Sequence, residues 1–167
     1  MTRQIVNAND KVIALKDRAD IDYAVDIYRV AALWITNSKG DVLLAQRSKN
    51  IHNDAGLWGP AVAGTVEEGE TYESNIYKEA EEEIGLRGTQ FAKGPKVFVE
   101  GSRSYFCQAF TAIVDQDADL FELQVDEVEA VRWFPIQELI RDVQDNPQNY
   151  VEKMEDTVKL FATGVKT

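Results

Sequence analysis

Three glutamates near the middle of the chain have the residue type and the spacing of a metal-binding face. Glu79, Glu82 and Glu83 stand at positions i, i+3 and i+4, which places them within one arc of a helix. Like charges at this spacing repel one another, and burial raises the cost unless a cation lies nearby. Carboxylate oxygens without sulfur or imidazole suit a hard cation, Mg²⁺ or Mn²⁺, which bridges to substrate phosphates. The cluster therefore predicts metal-assisted phosphoryl chemistry.

The negative charge of the chain is concentrated around these glutamates. The 167 residues carry 29 acidic and 18 basic side chains, a formal net charge of −11. Residues 64–86 alone hold eight glutamates and one lysine, a local charge of −7. A solvated helix face is the common explanation of a glutamate run, and composition by itself favours it. The wider spacing of residues across the segment favours the metal site instead.

A helix and a mixed β-sheet are the elements expected to position the glutamates. Helical periodicity runs from residue 71 to residue 84, and Gly85 has the residue type of a C-terminal cap. Turn residues 37–40 separate two β-rich runs, as in a hairpin. The predicted strands are 27–35, 41–46, 61–66, 96–100 (introduced by the turn pair Gly94-Pro95), 105–114 and 129–134, and the other predicted helices are 135–143 and 151–162. This irregular interleaving predicts an α/β fold with a mixed sheet between helices.

The first residues of the chain are expected to form an addition to the main domain. Residues 1–26 alternate short apolar pieces with charges, which is typical of an edge strand or hairpin. We therefore divide the chain into an N-terminal extension, residues 1–26, and a domain with C-terminal helices, residues 27–167. Because an edge strand can pair with a second copy of itself, a homodimer is a further hypothesis.

Residues 64–86 resemble the Nudix signature, a pattern with nine specified positions. The residues that match it, in the order of the pattern, are Gly64, Glu70, Glu79, Glu82, Glu83, Gly85 and Leu86. The two departures are Lys78, where the pattern has arginine, and Ala80, where it has a larger aliphatic residue. The likeness extends over about residues 28–140, which are similar to the Nudix branch that looks like isopentenyl-diphosphate isomerase.

The resemblance implies a fold, an activity and a set of roles. The fold would be an α/β/α sandwich, and the activity hydrolysis of a diphosphate linkage in a nucleoside diphosphate derivative or similar organic diphosphate. Glu79, Glu82 and Glu83 would be the catalytic metal ligands for Mg²⁺ or Mn²⁺, with Glu79 acting as the base or orienting it. The backbone carbonyl of Ala63 or Gly64 would add an oxygen ligand. Water would be the nucleophile.

The resemblance also implies a structural brace between Glu70 and residue 78. An arginine makes a two-pronged contact with a carboxylate, whereas the ammonium of Lys78 is a point charge and cannot. A Nudix-fold module that binds a ligand without turnover is therefore an alternative to an enzyme. The intact face of three mutually repelling carboxylates favours the enzyme, because a site that has lost catalysis would not need them.

Isopentenyl-diphosphate isomerase is a second, less favoured alternative. That enzyme needs a catalytic cysteine just before the glycine that opens the signature and a histidine just after it. This chain has Ala63 and Thr65 at those positions. Hydrolysis is therefore the better hypothesis.

Three residues outside the signature are candidates for substrate binding. Arg47 ends a predicted strand and suits a two-pronged phosphate contact, with a surface salt bridge as the alternative. Arg103 and Tyr105 lie beside another predicted strand, where they could contact phosphate or stack on a base. A second acidic group, from which one carboxylate could serve a second metal, consists of Asp126, Glu127 and Glu129.

Composition argues against several other functions. An acidic chain is repelled by phosphate backbones and anionic lipid surfaces, so neither nucleic acid nor membrane is an expected partner, and a small-molecule diphosphate is. The single cysteine, Cys107, cannot form an internal disulfide and is interpreted as a core residue. The single histidine, His52, disfavours a His-only metal site. Because no apolar run has the length of a signal peptide or a membrane span, we predict a cytoplasmic protein.

Overall fold

The computed structural model describes residues 1–163. The strands are β1 (Thr2–Val6), β2 (Val12–Asp17), β3 (Ile27–Thr36), β4 (Val42–Arg47), β5 (Trp58–Pro60), β6 (Val62–Thr65), β7 (Ala92–Val99), β8 (Ser104–Ile113) and β9 (Val128–Phe134). The helices are α1 (Tyr72–Ile84), α2 (Ile136–Asp145) and α3 (Met154–Thr163). Each of the strands and helices predicted from residue 27 onward has a counterpart among them.

In the described part of the chain the strands form one mixed sheet with β3 at its centre. One edge of β3 pairs with β8 in parallel along its whole length, from Ile27 opposite Ser104 to Thr36 opposite Ile113. The other edge of β3 is shared by three antiparallel strands in turn, β1, β6 and β4. The sheet is completed by β2 beside β1, β7 beside β8, and β5 and β9 beside β4.

Helices cover both faces of the sheet because the strands alternate their buried side chains. On one face Leu33 of β3 packs with Ile76 and Ile84 of α1, and all three are fully buried. On the other face Trp34 stacks on Phe161 of α3, with ring centroids 4.7 Å apart. Helix α2 packs on that same face. The predicted α/β/α sandwich with a mixed sheet is confirmed.

Helix α1 begins and ends at residues that the sequence singles out. Thr71 and Ser74 form a capping box, in which each side chain accepts a hydrogen bond from the other residue's backbone N–H, at 3.0 and 2.9 Å. Gly85 ends the helix with a φ of 68°, a left-handed conformation that favours glycine. These two caps fix which turn of the helix carries each glutamate.

The N-terminal residues form the predicted hairpin, β1 and β2. Strand β1 also pairs with β3, so the hairpin extends the main sheet, and β2 lies at its outer edge. Val12, Ile13 and Leu15 of β2 are exposed. The division into residues 1–26 and 27–167 stays a prediction.

The prediction that Gly94-Pro95 is a turn before a strand is wrong. Both residues lie within β7, which begins at Ala92, and the register against β8 shifts between Lys93 and Lys96. Proline lacks a backbone N–H, and a bulge is one of the few strand positions that tolerate this loss. At the bulge the Gly94 carbonyl accepts a hydrogen bond from the side-chain amide of Gln108 at 2.8 Å.

Candidate active site

The absence of a side chain at Gly64 lets helix α1 approach strand β6. Strand β6 is held against β3, with Gly64 opposite Ala31. A Cβ added to Gly64 would overlap Cγ of Glu79, lie 2.8 Å from its Cδ, and lie 2.9 Å from Oδ1 of Asn75. Real Cβ atoms essentially never come this close to other heavy atoms. Glycine is therefore required at this position if Glu79 is to keep its place.

Glu79 and Glu83 lie in a cleft of about 630 Å³, together with Glu82 and Glu127. Burial raises the pKa of Glu83 to about 8, with further repulsion from Glu79 and Glu127, and these effects outweigh the attraction of Arg47. The carboxylate thus stands in a place where negative charge is poorly compensated by the protein.

The pKa of Glu79 is raised for a similar reason. Burial is the largest cause, and the charge of Glu82 adds to it, whereas the neighbouring Lys78 acts in the opposite direction. Glu82 itself is exposed at the mouth of the cleft. Glu81 points away from this cluster, since its exposed carboxylate pairs with Arg87 at 2.8 Å.

The donor set fits a hard divalent cation in its chemistry. Within residues 1–163, no three His, Cys, Asp or Glu side chains already stand in an arrangement that could hold a metal ion. Glu79 and Glu83 nevertheless line one partly buried cleft, where a cation would offset the burial and the repulsion that raise both pKa values. Oδ1 of Asn75 is a further oxygen here, and it is buried without a hydrogen-bond partner.

The brace expected between Glu70 and Lys78 is formed as an ion pair. Nζ of Lys78 lies 2.5 Å from Oε1 of Glu70, 3.2 Å from Oε2 of Glu67 and 3.5 Å from Oε1 of Glu79. Burial would lower the pKa of Lys78, but the hydrogen bonds to Glu70 and Glu67 outweigh it and raise that pKa. The lysine is therefore held charged beneath the cleft, between the signature loop and Glu79.

The N-terminal strand supports the signature loop, a contact that sequence analysis missed. The buried amide of Gln4 donates to the backbone carbonyls of Glu67 and Glu70, at 2.8 and 2.9 Å. Its Oε1 accepts from Arg29 at 2.8 Å. The backbone N–H of Glu68 donates to the Thr2 carbonyl at 2.9 Å. The hairpin thus fixes the loop that carries Glu70.

Asp10, in the turn of the hairpin, is a second contact that the sequence did not reveal. Its carboxylate accepts from Arg29 at 2.7 Å, from Lys96 at 2.6 Å and from the Tyr72 hydroxyl at 3.0 Å. Burial would raise the pKa of Asp10, but these hydrogen bonds outweigh it and hold the pKa below its usual value. Asp10 therefore joins the hairpin to β3, to β7 and to the first turn of α1.

The three predicted substrate-binding residues line the same cleft as the glutamates. Nε of Arg47 donates to the Asn53 carbonyl at 3.1 Å, and Nη2 of Arg103 donates to Oδ1 of Asn53 at 2.9 Å. Asn53 therefore positions both guanidinium groups. The ring of Tyr105 packs on that of Tyr28, with centroids 5.4 Å apart. Their role in binding stays a prediction.

The other residues considered in the sequence lie in different surroundings. Of the second acidic group only Glu127 lines the cleft. Trp58 packs edge-on against Phe134, with ring centroids 5.4 Å apart, and borders the core beneath α2 and α3. His52 is exposed in its loop.

Cys107 is not a residue of the central core, contrary to the prediction. It is half-buried and lines the cleft, opposite Val30 in the pairing of β8 with β3. Side chains of α3 cluster with Trp34 and Ala109 on this face, whereas Val30 and Cys107 line the cleft. Burial raises the pKa of the Cys107 thiol to about 12, which keeps it protonated.

The comparison with known families agrees with this geometry. A model described as the NUDIX domain matches residues 27–157. The chain belongs to the NUDIX domain family. The predicted family is confirmed, and with it the assignment as a diphosphate-cleaving Nudix hydrolase. Nudix hydrolases generally use a divalent metal ion.

Two Nudix relatives and one solved structure define the likeness more closely. The prenyl-diphosphate phosphatase of Methanosarcina mazei is 26% identical over 162 residues, 95% of this chain and 94% of its own. A Nudix hydrolase of Pseudomonas aeruginosa is 29% identical over 129 residues, 77% of this chain and 75% of its own. The crystal structure of DR0079 from Deinococcus radiodurans is 19% identical, with a TM-score of 0.82, and covers 95% of this chain and 98% of its own. The last likeness shows a shared fold.

None of the helices in residues 1–163 has the length and apolar character needed to cross a bilayer.

Proposed function

We propose that this Nudix protein is a Mg²⁺- or Mn²⁺-dependent hydrolase of an organic diphosphate, with its site at Glu79, Glu82 and Glu83. The observation that carries the proposal is the placement of Glu79 in the space that Gly64 leaves, beside Glu83 in one cleft. Buried carboxylates of like charge are unfavourable unless a cation accompanies them. A bound metal ion would offset this cost, which would explain why the glutamates lie together.

Each residue of the site has a proposed role. Glu79, Glu82 and Glu83 would hold the ion, and the Gly64 carbonyl would add an oxygen. The chemistry that a bound divalent ion supplies there is neutralisation of diphosphate charge and activation of water. Glu79 would orient the attacking water or take its proton, as the resemblance to the Nudix signature implies. Glu70 and Lys78 would keep Glu79 in place.

The substrate is proposed to be a nucleoside diphosphate derivative or a similar organic diphosphate. Arg47 and Arg103 would contact its phosphates, and Tyr105 would pack on its organic group. Several apolar side chains also line the cleft, namely Val30, Ala32, Val97, Val99, Ala109, Leu160 and Phe161. This lining favours an organic group of low polarity, and a prenyl chain is the example that the name of the Methanosarcina mazei relative supplies.

The activity prediction is tested with Glu83→Gln. We expect the wild-type protein to hydrolyse a member of a diphosphate panel, containing nucleoside diphosphate derivatives and prenyl diphosphates, only when Mg²⁺ or Mn²⁺ is present. Glu83→Gln removes one anionic oxygen and should lower kcat by roughly a hundredfold or more, because even residues that only support a metal ligand contribute ten- to a hundredfold. Released phosphate or diphosphate is measured by chromatography.

The matched control is Glu81→Gln, on the same helix but with its carboxylate exposed and paired with Arg87. It should retain the wild-type kcat. Binding of a diphosphate without turnover by the wild-type protein would instead support a binding module. Conversion of isopentenyl diphosphate into its dimethylallyl isomer would support the isomerase, although Ala63 and Thr65 argue against it.

We further propose that residues 27–167 are the Nudix domain, that residues 1–26 are an extension that braces it, and that the protein acts in the cytoplasm on a small molecule. We also propose a homodimer that pairs through β2. The exposed Val12, Ile13 and Leu15 at this free edge support that interface.

The dimer prediction is tested with Ile13→Lys. Ile13 is 65% exposed on β2, and a lysine at a sheet edge opposes pairing with another strand. Analytical ultracentrifugation should give the mass of a dimer for the wild-type protein and that of a monomer for Ile13→Lys. Ile113→Lys, at a position that is 71% exposed on β8, is the control and should stay dimeric. A wild-type monomer at every concentration would remove the hypothesis.

A further inference from the structure

We propose that Asn75 is a positioning residue that, together with Lys78, does what the arginine of the Nudix signature does alone. The inference rests on the proposed function, in which Glu70 keeps Glu79 in place. The two oxygens of Glu70 are held by different side chains. Nζ of Lys78 lies 2.5 Å from Oε1, and Nδ2 of Asn75 donates to Oε2 at 2.8 Å.

The chemistry of lysine explains why a second donor is needed. A guanidinium presents parallel N–H groups that reach both oxygens of one carboxylate, whereas an ammonium is a single point of charge. Lys78 also divides its contacts, since its Nζ lies 3.2 Å from Oε2 of Glu67. Without Asn75, Oε2 of Glu70 would keep only the backbone N–H of Glu67, at 3.0 Å. The amide of Asn75 therefore supplies the second side-chain hydrogen bond to the Glu70 carboxylate.

Asn75 also connects Glu70 with the strand and the glutamate that form the site. Its amide donates to the Thr65 carbonyl of β6 at 3.1 Å, and the same nitrogen lies 3.4 Å from Oε1 of Glu79, one turn further along α1. All three neighbours of this nitrogen are acceptors, which fixes the amide orientation. One side chain thus ties the signature loop, the end of β6 and the first metal ligand.

The burial of Asn75 argues against a role in packing alone. The residue is fully buried at the end of the first turn of α1, and asparagine is a weaker helix former than alanine. Its Oδ1 is buried with no hydrogen-bond partner, which is unfavourable. An apolar side chain would avoid both penalties. The advantage of asparagine here is its amide N–H groups, which donate to Glu70 and Thr65.

The test is a cycle of four proteins, namely the wild type, Asn75→Ala, Lys78→Arg and the double variant. We expect Asn75→Ala to lower kcat about tenfold to a hundredfold, the value of a hydrogen bond to a charged group, with KM unchanged because Asn75 does not touch the substrate. Lys78→Arg supplies the background with a guanidinium at this position, and its own kcat is the reference for the double variant. The double variant should recover most of the loss, because one guanidinium donates to both oxygens of Glu70.

Two further measurements do not depend on turnover. Electron paramagnetic resonance of free Mn²⁺ should show weaker binding by Asn75→Ala and restored binding by the double variant. Urea unfolding should show a larger loss of stability from Asn75→Ala in the Lys78 protein than in the Lys78→Arg background. If wild type hydrolyses nothing, the proposed function fails, and the urea cycle still decides whether Asn75 and Lys78 share one carboxylate.

The proposal would be overturned if Asn75→Ala changed kcat and the free energy of unfolding in urea equally in both backgrounds. Asn75 would then be a packing residue. Wild-type kcat and Mn²⁺ binding in Asn75→Ala would overturn it as well. Should Asn75→Ala not fold, Asn75→Ser provides the same cycle, because its hydroxyl is one bond shorter and cannot reach Glu70. Rescue by Lys78→Arg supports the proposal with either variant.

Discussion

Gly64→Ala is expected to abolish most of the hydrolase activity while the protein remains folded. The added methyl group would occupy the position of the Glu79 side chain, with its Cδ only 2.8 Å away, so Glu79 must move. A displacement of about 1 Å in a catalytic group can cost about a hundredfold in rate. We therefore expect kcat to fall by about a hundredfold or more, together with weaker Mn²⁺ binding, as measured by phosphate release and paramagnetic resonance.

The control for Gly64→Ala is Gly59→Ala. Gly59 is another strand glycine and is buried, but a Cβ there would meet only the Val151 side chain, at 3.2 Å. This substitution should lower the melting temperature slightly. It should leave kcat within about threefold of the wild-type value, whereas a tenfold change would need about 1.4 kcal/mol of activation free energy. An active Gly64→Ala protein would show that Glu79 is not needed at its present place, and the assigned site would be wrong.

Asp10→Asn is expected to produce the largest loss of stability from a single polar group. Asparagine keeps the shape and tolerates the left-handed backbone, whose φ is 57°. It removes the charge that Arg29 and Lys96 contact at 2.7 and 2.6 Å. We expect the free energy of unfolding in urea to fall by about 2–3 kcal/mol at neutral pH, the upper range for hydrogen bonds to a charged group.

The effect of Asp10→Asn should depend on pH in a defined direction. Hydrogen bonds from Lys96, Arg29 and Tyr72 hold the pKa of Asp10 below the ordinary value of 3.8 despite burial. The unfolded chain then binds the proton more readily than the folded one, so the stabilisation is complete above about pH 5 and is lost as pH falls through the folded pKa. The difference between wild type and Asp10→Asn should therefore shrink below about pH 4.

Asp54→Asn is the control for both measurements. Asp54 has a similar φ of 56°, but its side chain is exposed. This substitution should change the free energy of unfolding by no more than about 0.5 kcal/mol at any pH, as is usual for surface positions. A difference between wild type and Asp10→Asn that stays constant down to pH 2 would contradict the role given to the ionised carboxylate.

Local chemistry explains why α1 and its glutamates could be predicted from the sequence. Thr71 and Gly85 act within one turn of the helix they delimit, and the spacing of Glu79, Glu82 and Glu83 on that helix follows from its period. The alternating burial of strand residues likewise follows from the pleat of the sheet. Such features depend on neighbours in the chain, so the sequence contains them directly.

The contacts that complete the site join residues far apart in the chain. Gln4 and Asp10 are ordinary polar residues of a hairpin in the sequence, and only the pairing of β1 with β3 brings them to the signature loop and to Tyr72. In the sequence Asn75 is one polar residue among others in an acidic helix. Its contacts with β6 and Glu70 form only in the folded protein. The pair Gly94-Pro95 predicts a turn because it is common in turns. In the structure it lies in a bulge, where Gly94 contacts Gln108 of the neighbouring strand.

The pairing of β3 has a consequence for how the chain folds during synthesis. The parallel partner β8 begins at Ser104, whereas β3 begins at Ile27, so the ribosome must complete most of the sequence before this edge of β3 can be covered. Contacts between such distant segments close slowly, and an open edge invites pairing with other chains. The early hairpin pairs only with Ile27 and Tyr28, and on the other edge of β3. Nascent chains that stop before β8 should therefore depend on chaperones to avoid aggregation.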